Sequence, residues 1–536
     1  MKKYTFRIIA FLMIIIMLSS SLGCNKKATK NEEEKNLVNS NGSYNLKALT
    51  PIKVSEVKSQ NGRQVIYHNG SPYLYYTMHL RLDHIKAATD EVFYKSFFEK
   101  AAKQIKDDGF DTIVIYVYWK NLCDGANYDF SELAFQYEVA KKYDLKIHIN
   151  WFGCDVGGWG GYMPWQKENL EKYPPLRDEK GNYVYNNQNE LIPDFSNENF
   201  LKDGYDAIQQ LCAWLNVNDT DRRTVAIQLE NEPGGNAGGG QPYWMGQYKN
   251  IAAYLNNLGK AVKESSYSMV TYLNLMASGW NEKLDGLTFK ERIHNLIDME
   301  YIDIVGYDYY TSDPDARVYE IEYGDNLPVF VEFGPCTYIV PGQINHLFDI
   351  GYGLGFYQFI NFSNTTSNNG FYRFTDVMQG FIPRDGTQKT PALKEGADTD
   401  GLAGKLEVDT QVIINQNKAI KALSELIATQ HTDDILSINH RLVNGYNAAW
   451  ECNKEDIYFN CKVKDQTNGG SALIITKDDD FYLYTTHTAK FTFENPITSV
   501  TVGSYKDGVW TSTATVEVKD NTFTAKSGKA YQVVIK

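Results

Sequence analysis

The sequence predicts an α/β chain: a (β/α)8 TIM barrel followed by a C-terminal antiparallel β-sandwich. From about Pro51 to Thr429, apolar runs rich in β-branched and aromatic residues alternate with segments of helical periodicity. That alternation is the pattern of a parallel sheet with crossover helices. From His431 onward the runs are short and alternating, separated by Gly, Asn, Asp and Lys, as in antiparallel sheets. The 536 residues are too many for one average domain and suit a barrel with a companion, and a hydrophobic content of 43% is ample for a large core.

Lys2 and Lys3 precede an apolar run from Ile8 to Leu18 and then Gly23-Cys24. The run is short for a membrane span and has the charge and length of a signal peptide. Gly23-Cys24 resembles a bacterial lipoprotein cleavage site with Cys24 as the lipidated residue, although Ser21 stands where such sites usually carry Leu. The expected organisation is a signal peptide over 1–24, a polar disordered tether over 25–50, the barrel over 51–430 and the sandwich over 431–536. The expected location is outside the membrane, on the cell surface through a lipid anchor, or secreted.

The barrel strands read in order as Tyr73 to His79, Thr112 to Trp119, Lys146 to Phe152, Thr224 to Glu232, Ser268 to Leu275, Ile302 to Tyr307, Val329 to Glu332 and Gly355 to Phe359. Helical periodicity marks Glu91 to Asp107, Leu133 to Tyr143, Phe200 to Leu215, Tyr248 to Ser265 and Asn415 to Ala428 between or after them. Later segments such as Ser471 to Ile475, Phe481 to Thr485, Ala489 to Phe493, Thr498 to Val502 and Ala530 to Ile535 alternate as sandwich strands.

Two strands end unusually. Val225 to Leu229 runs into Glu230-Asn231-Glu232-Pro233, and Val329-Phe330-Val331 runs into Glu332-Phe333-Gly334. An apolar strand has no packing reason to finish on carboxylates, because buried charge is costly unless paired or used. On a barrel, the C-terminal strand edges form the active-site face. Two carboxyl groups there, about 5 Å apart, are what retaining glycoside hydrolysis needs. Asn231 beside Glu232 offers an amide to a sugar 2-hydroxyl. By the period of two, Gln228, Glu230 and Glu232 share one side, and Glu230 reads as paired within the barrel.

At these residues the chain resembles glycoside hydrolase clan A, in which an Asn-Glu pair ends the fourth strand and a Glu ends the seventh. The resemblance implies Glu232 as acid/base, Glu332 as nucleophile and Asn231 as a substrate contact. Finer resemblance is to the family 35 β-galactosidases over roughly residues 65 to 390. It rests on Asn69-Gly-Ser-Pro-Tyr-Leu-Tyr-Tyr-Thr-Met-His79-Leu-Arg81, on Gly109 through Trp119, on Gln228-Leu-Glu-Asn-Glu-Pro-Gly234 and on Gly160-Gly161-Tyr162-Met163-Pro164-Trp165. Departures are equally visible. Leu122-Cys123-Asp124 replaces a His-Glu-Pro, Cys154-Asp155-Val156-Gly157 replaces a sugar-binding segment, and Glu332-Phe-Gly is closer to family 5. The resemblance also marks Tyr310, with Tyr309 second, as the sixth-strand partner of the nucleophile. His79 and Arg81 stand as first-strand substrate contacts, with a structural role as the alternative. Trp119 and Trp151 end the second and third strands as candidates for stacking on sugar, with plain packing as the alternative.

A formal net charge of -13 argues against a nucleic-acid partner. No HExxH, P-loop or strand-linked GxGxxG is present, and no cysteine spacing suits zinc, so no metal or redox cofactor is implied. Cys452 and Cys461 are close enough to bridge a hairpin, while Cys123, Cys154, Cys212 and Cys336 read as buried thiols. The expected activity is a β-galactosidase-like retaining β-glycosidase acting on an oligo- or polysaccharide. The alternatives are another sugar specificity, a non-catalytic carbohydrate-binding lipoprotein, and a binding role centred on the sandwich.

Overall fold

The computed structural model describes residues 37–82, 86, 90–154, 161–178, 180–185, 189–233, 248–276, 286–309, 321–333, 340–356, 410–439, 449–454, 457–462 and 470–536. Eight parallel strands close into a barrel: β1 (Tyr76–His79), β2 (Thr112–Tyr118), β3 (Lys146–Phe152), β4 (Thr224–Leu229), β5 (Val270–Met276), β6 (Ile304–Tyr309), β7 (Val329–Phe333) and β8 (Gly353–Phe356). Neighbours in space are neighbours in sequence, and β8 pairs with β1. Among the described residues the longer helices are α1 (Glu91–Asp107), α2 (Ser131–Lys142), α3 (Glu198–Asn218), α4 (Tyr248–Lys263), α5 (Phe289–Ile297), α6 (Val340–Asp349) and α7 (Thr410–Thr429). The start of α1 follows from its sequence: the Asp90 side chain accepts from Phe93 N.

Alternation sorts each strand into two faces. Ile113, Ile115 and Val117 of β2, Ile147, Ile149 and Trp151 of β3, and Ile227 and Leu229 of β4 belong to the core beneath the helices. Tyr75, Ala226, Val270, Tyr272, Ile304, Val329 and Val331 form a second core inside the barrel. An antiparallel sheet of Ser55–Gln60, Arg63–His68 and Ser71–Tyr73 contributes Ile66 and Tyr73 to that inner core. Ser55 Oγ donates to Val225 O and accepts from Val270 N, so the sheet caps the end where β4 and β5 begin. The predicted first strand, Tyr73 to His79, is therefore two elements. Tyr73 closes this cap, and the barrel strand starts at Tyr76.

The predicted tether also needs correction. Residues 1–36 lie outside the described residues, but from Leu37 the chain is docked. Tyr44 is buried, its ring 5.7 Å from that of Phe130, and its backbone exchanges hydrogen bonds with Gln210 of α3. Polarity alone hid this anchor, because one aromatic ring in a polar stretch is enough to dock it.

After α7 come β9 (Ile435–Asn439), β10 (Ala449–Lys454), β11 (Ile457–Lys462), β12 (Ser471–Lys477), β13 (Asp480–Thr485), β14 (Ala489–Phe493), β15 (Ile497–Lys506), β16 (Val509–Thr515), β17 (Thr522–Ala525) and β18 (Ala530–Ile535). They form a six-stranded sheet, β9-β12-β13-β18-β15-β16, and a four-stranded one, β10-β11-β14-β17. Ile474, Leu483 and Val533 of the first meet Phe491, Phe493 and Phe523 of the second, giving the expected sandwich. The other face of the six-stranded sheet joins the barrel core through Leu473, Ile475, Tyr482 and Tyr484. Asn345 of α6 ties that junction: it donates to Ser471 Oγ (2.7 Å) and accepts from Gln416 Nε2 of α7 (2.8 Å) and from the Tyr484 hydroxyl.

Candidate active site

The fourth strand stops at Leu229 because Glu230 and Glu232 take left-handed backbone conformations, with φ of 65° and 46°. Such φ values cost non-glycine residues about 1 kcal/mol or more and persist only where the surroundings fix them. Here Glu230 N donates to Trp151 O (3.0 Å), and Glu232 N donates to Asn274 Oδ1 (2.9 Å). The turn at Glu230 also breaks the alternation the sequence implied. Instead of facing the lumen, the Glu230 carboxylate accepts from Cys154 N (3.0 Å), Gly153 N (3.2 Å) and the Tyr254 hydroxyl of α4 (2.6 Å). Glu230 is paired, as expected, but outward: it clamps the end of β3 to α4.

Asn231 and Glu232 are nearly buried, 7% and 6% exposed, at the C-terminal mouth of the barrel. Glu332 of β7, 4% exposed, reaches the same mouth through a bulge. Val329 and Val331 face the inner core while Phe330 and Phe333 pack outward, so regular alternation would turn Glu332 away from the lumen. Between Tyr307/Phe330 and Asp308/Glu332 the pairing with β6 slips by one residue. The extra residue sets Glu332 beside Asp308, which is how a bulge re-aims a side chain.

Two residues of this site were missed in the sequence. Asn274 of β5 is fully buried with its amide fully engaged. Its Oδ1 accepts from Gln228 Nε2 (2.8 Å) and Glu232 N, and its Nδ2 donates to Asn231 Oδ1 (3.1 Å) and Asp308 Oδ2 (2.7 Å). Asp308 of β6, 2% exposed, had served only as a marker of which side Tyr310 faces. Burial, then the negative charges of Glu332 and Glu232, push its carboxyl well above the usual carboxylate range. Asp308 carries the signal that singled out Glu332, a charged residue near the C-terminal end of an apolar barrel strand, whereas Asn274, an uncharged amide, does not.

His79 is fully buried. Its Nε2 donates to Val331 O (2.8 Å), and its Nδ1 accepts from the Tyr116 hydroxyl (2.8 Å). Burial holds the imidazole down to about 3, so the ring is neutral. This corrects its reading as a substrate contact: both nitrogens hold β1 and β2 to the bulged strand. Trp119 and Trp151, 1% and 0% exposed, are corrected likewise. Trp151 points to the helix side of β3, Trp119 packs on Trp151, Trp165 and Phe200, and neither ring has a face to offer a sugar. Arg81 is half-buried at the mouth, its guanidinium 5.7 Å from the Tyr116 ring and 5.5 Å from the Phe152 ring. Tyr310, Cys24 and Cys336 lie outside the described residues, as do the side chains of Tyr309, Cys452 and Cys461. Cys123, Cys154 and Cys212 are buried thiols, and the Cys154 thiol donates to Glu230 Oε1.

No family model and no curated protein matches this sequence. Among solved structures, the chain is similar to an endo-1,4-beta-mannanase from Rhizomucor miehei, with 12% identity over 56% of this chain and 89% of that one, at a TM-score of 0.39. A family 30 subfamily 8 xylanase from Clostridium acetobutylicum gives 9% identity over 86% and 95%, at 0.38. A family 39 glycoside hydrolase from Bacteroides cellulosilyticus gives 11% over 88% and 84%, at 0.39. At these levels of identity and superposition the likenesses carry no argument about activity.

Proposed function

We propose that the chain is a retaining β-glycosidase in which Glu332 is the nucleophile and Glu232 the general acid/base. The observation that carries this reading is that two glutamates, one just past β4 and one on β7, reach one barrel mouth, each by a local departure from regular strand geometry, with Glu332 in register beside Asp308 and Glu232 N bonded to the same Asn274 side chain that holds Asp308. Glu332 would attack the anomeric carbon while Glu232 protonates the leaving oxygen; water activated by Glu232 would then release the sugar with its configuration retained. Asn231 spends its Oδ1 on Asn274, which leaves its NH2 for the sugar 2-hydroxyl oxygen. A galactoside is the first substrate the family 35 resemblance suggests. The neutral His79 would keep the nucleophile strand in place without adding charge.

A panel of aryl β-glycosides (galactoside, glucoside, mannoside, xyloside, fucoside) tests the reading, with proton NMR of the first-formed anomer. Glu332→Gln should lower kcat by at least about a thousandfold, with partial recovery in azide. Glu232→Ala should impair poor leaving groups far more than activated ones. An inverted product, or a Glu332→Gln enzyme of normal rate, refutes the assignment. We further propose that Cys24 anchors the protein outside the membrane. Cys24→Ala should move it from the membrane fraction to the medium or leave the signal uncleaved, and wild-type protein in the cytoplasm with Met1 intact would overturn this.

A further inference from the structure

The connection from β3 to α3, residues 153–197, leaves the barrel on its catalytic side, because it starts at the C-terminal end of a strand. Part of it is a folded arm. Leu176 N donates to Ile192 O (2.9 Å), Val184 N to Leu176 O (3.1 Å) and Ile192 N to Val184 O (3.2 Å). Arg177 pairs with Tyr183 and Tyr185 with Leu191 in the same ladder. The Asp178 side chain closes the first turn by accepting from Lys180 N (2.9 Å) and Asn182 N (2.8 Å). Leu176 and Ile192 are buried, and Val184 packs on the barrel core. Alternation therefore sets Tyr183 and Tyr185 on the opposite side, where they are 43% and 45% exposed. The root of the arm is fixed beside the acid/base. The Phe195 ring lies 5.5 Å from that of Tyr254, whose hydroxyl donates to Glu230, in the segment that carries Glu232.

Among the described residues three aromatic rings are strongly exposed, and two of them are these tyrosines. The third, Tyr323, lies under the His294 ring, 3.6 Å away and 8° from parallel. Tyr183 is steadied on one face by the Arg177 guanidinium, 4.1 Å from its centroid, and Arg177 in turn donates to Gly181 O (2.7 Å). A pyranose presents a face of C–H groups, apolar and slightly positive, which matches the negative face of an aromatic ring. We propose that Tyr183 and Tyr185 form a stacking platform for sugar units on the leaving-group side of the cleaved bond, so that the substrate is a glycan chain several units long. The side follows from the chemistry. Glu232 protonates the leaving oxygen, which places the leaving group toward the rim at the end of β4, away from Glu332 on β7. The arm rises from the adjoining ends of β3 and β4. Two residues of extended chain set the rings roughly 7 Å apart along it, so successive sugar units would rest on both. The inference rests on Glu232 as the acid/base and adds the groups that select substrate length.

Calorimetric titration of the full chain carrying Glu332→Gln, which keeps the ligand whole, tests the platform. The probes are β-1,4-linked disaccharides and hexaoses of galactose, glucose, mannose and xylose. For at least one sugar, the hexaose should bind about tenfold or more tightly than the disaccharide. Adding Tyr183→Ala and Tyr185→Ala should bring that ratio to within about twofold, whereas Tyr183→Trp and Tyr185→Trp should keep it, since a larger ring stacks as well. Both side chains stand in water, so the Ala pair should melt at the parent's temperature, which separates lost stacking from lost folding. No length preference for any of the four sugars, or one that survives the Ala pair, overturns the proposal. Failure of the proposed function reads differently. A length preference that the Ala pair removes, in a native chain that hydrolyses none of these hexaoses or their aryl glycosides, would uphold the platform and sink the glycosidase reading. A native chain that cleaves an aryl glycoside, with hexaose and disaccharide bound equally, would sink the platform alone.

Discussion

At the scale of single residues, the site is organised by amides as much as by carboxylates. Asn274 makes four hydrogen bonds with its one side chain, two of them to the segment that carries Glu232. Truncation would strand buried partners, and an orphaned buried group costs about 1–3 kcal/mol. Asn274→Ala should therefore lower stability in urea by about that amount and reduce kcat at least about tenfold; unchanged values for both would show that the network is dispensable. Glu232, Glu332 and Asn231 were legible in the sequence because charge at the end of an apolar run is costly enough to stand out. Asn274 was not, because an uncharged amide inside Tyr272-Leu-Asn-Leu275 reads as ordinary variation until its partners are known. Trp119 and Trp151 misled for the opposite reason: an aromatic ring at a strand end suits a sugar platform and a packed core equally well, and only the face of the strand decides.

At the scale of elements, small departures from regularity carry the chemistry. The bulge in β7 is supported by Gly355 of β8, where an added Cβ would lie 2.2 Å from Val331 O and 3.1 Å from His79 Nε2. Gly355→Ala should therefore push away the strand that presents Glu332. The expected outcome is a loss of about 1–3 kcal/mol in stability together with a fall in kcat larger than in affinity; a variant of normal rate would show the bulge to be tolerant. Periodicity made some regular elements legible to the residue, as α1 and β3 show, while others shifted: α7 begins at Thr410, ahead of the expected Asn415, and β8 at Gly353, ahead of the expected Gly355. The barrel cap was missed although Asn61-Gly62 is a hairpin signal, and both residues take the left-handed conformation such a turn uses, with φ of 49° and 75°. The bulge itself has no sequence signature, because it exists only relative to the neighbouring strand.

At the scale of the whole molecule, three buried histidines give the fold a defined response to acid. Burial lowers His68 to about 4, His79 to about 3 and His148 well below its ordinary value. Each is neutral in the folded protein yet takes a proton near pH 6.5 once unfolded, so below that pH the unfolded chain binds more protons and stability falls with falling pH. Each contributes about 1.4 kcal/mol per pH unit, and Asp308, whose carboxyl is raised, opposes them as a single group. Tm should thus drop steeply between about pH 6.5 and 4, and a flat profile there would contradict the burial of these rings. The C-terminal strands answer to the same logic of shared interior. The six-stranded sheet is apolar on both faces, one toward the four-stranded sheet and one toward α6 and α7. Removing residues 431–536 should leave a barrel that aggregates, and the intact chain should melt in one transition; two separate transitions would speak against the junction at Asn345. A region joined in this way cannot be traded among proteins by recombination as a detachable module is. Any exchange would have to bring α6 and α7 with it, so the barrel and its C-terminal partner are bound to be inherited as one piece.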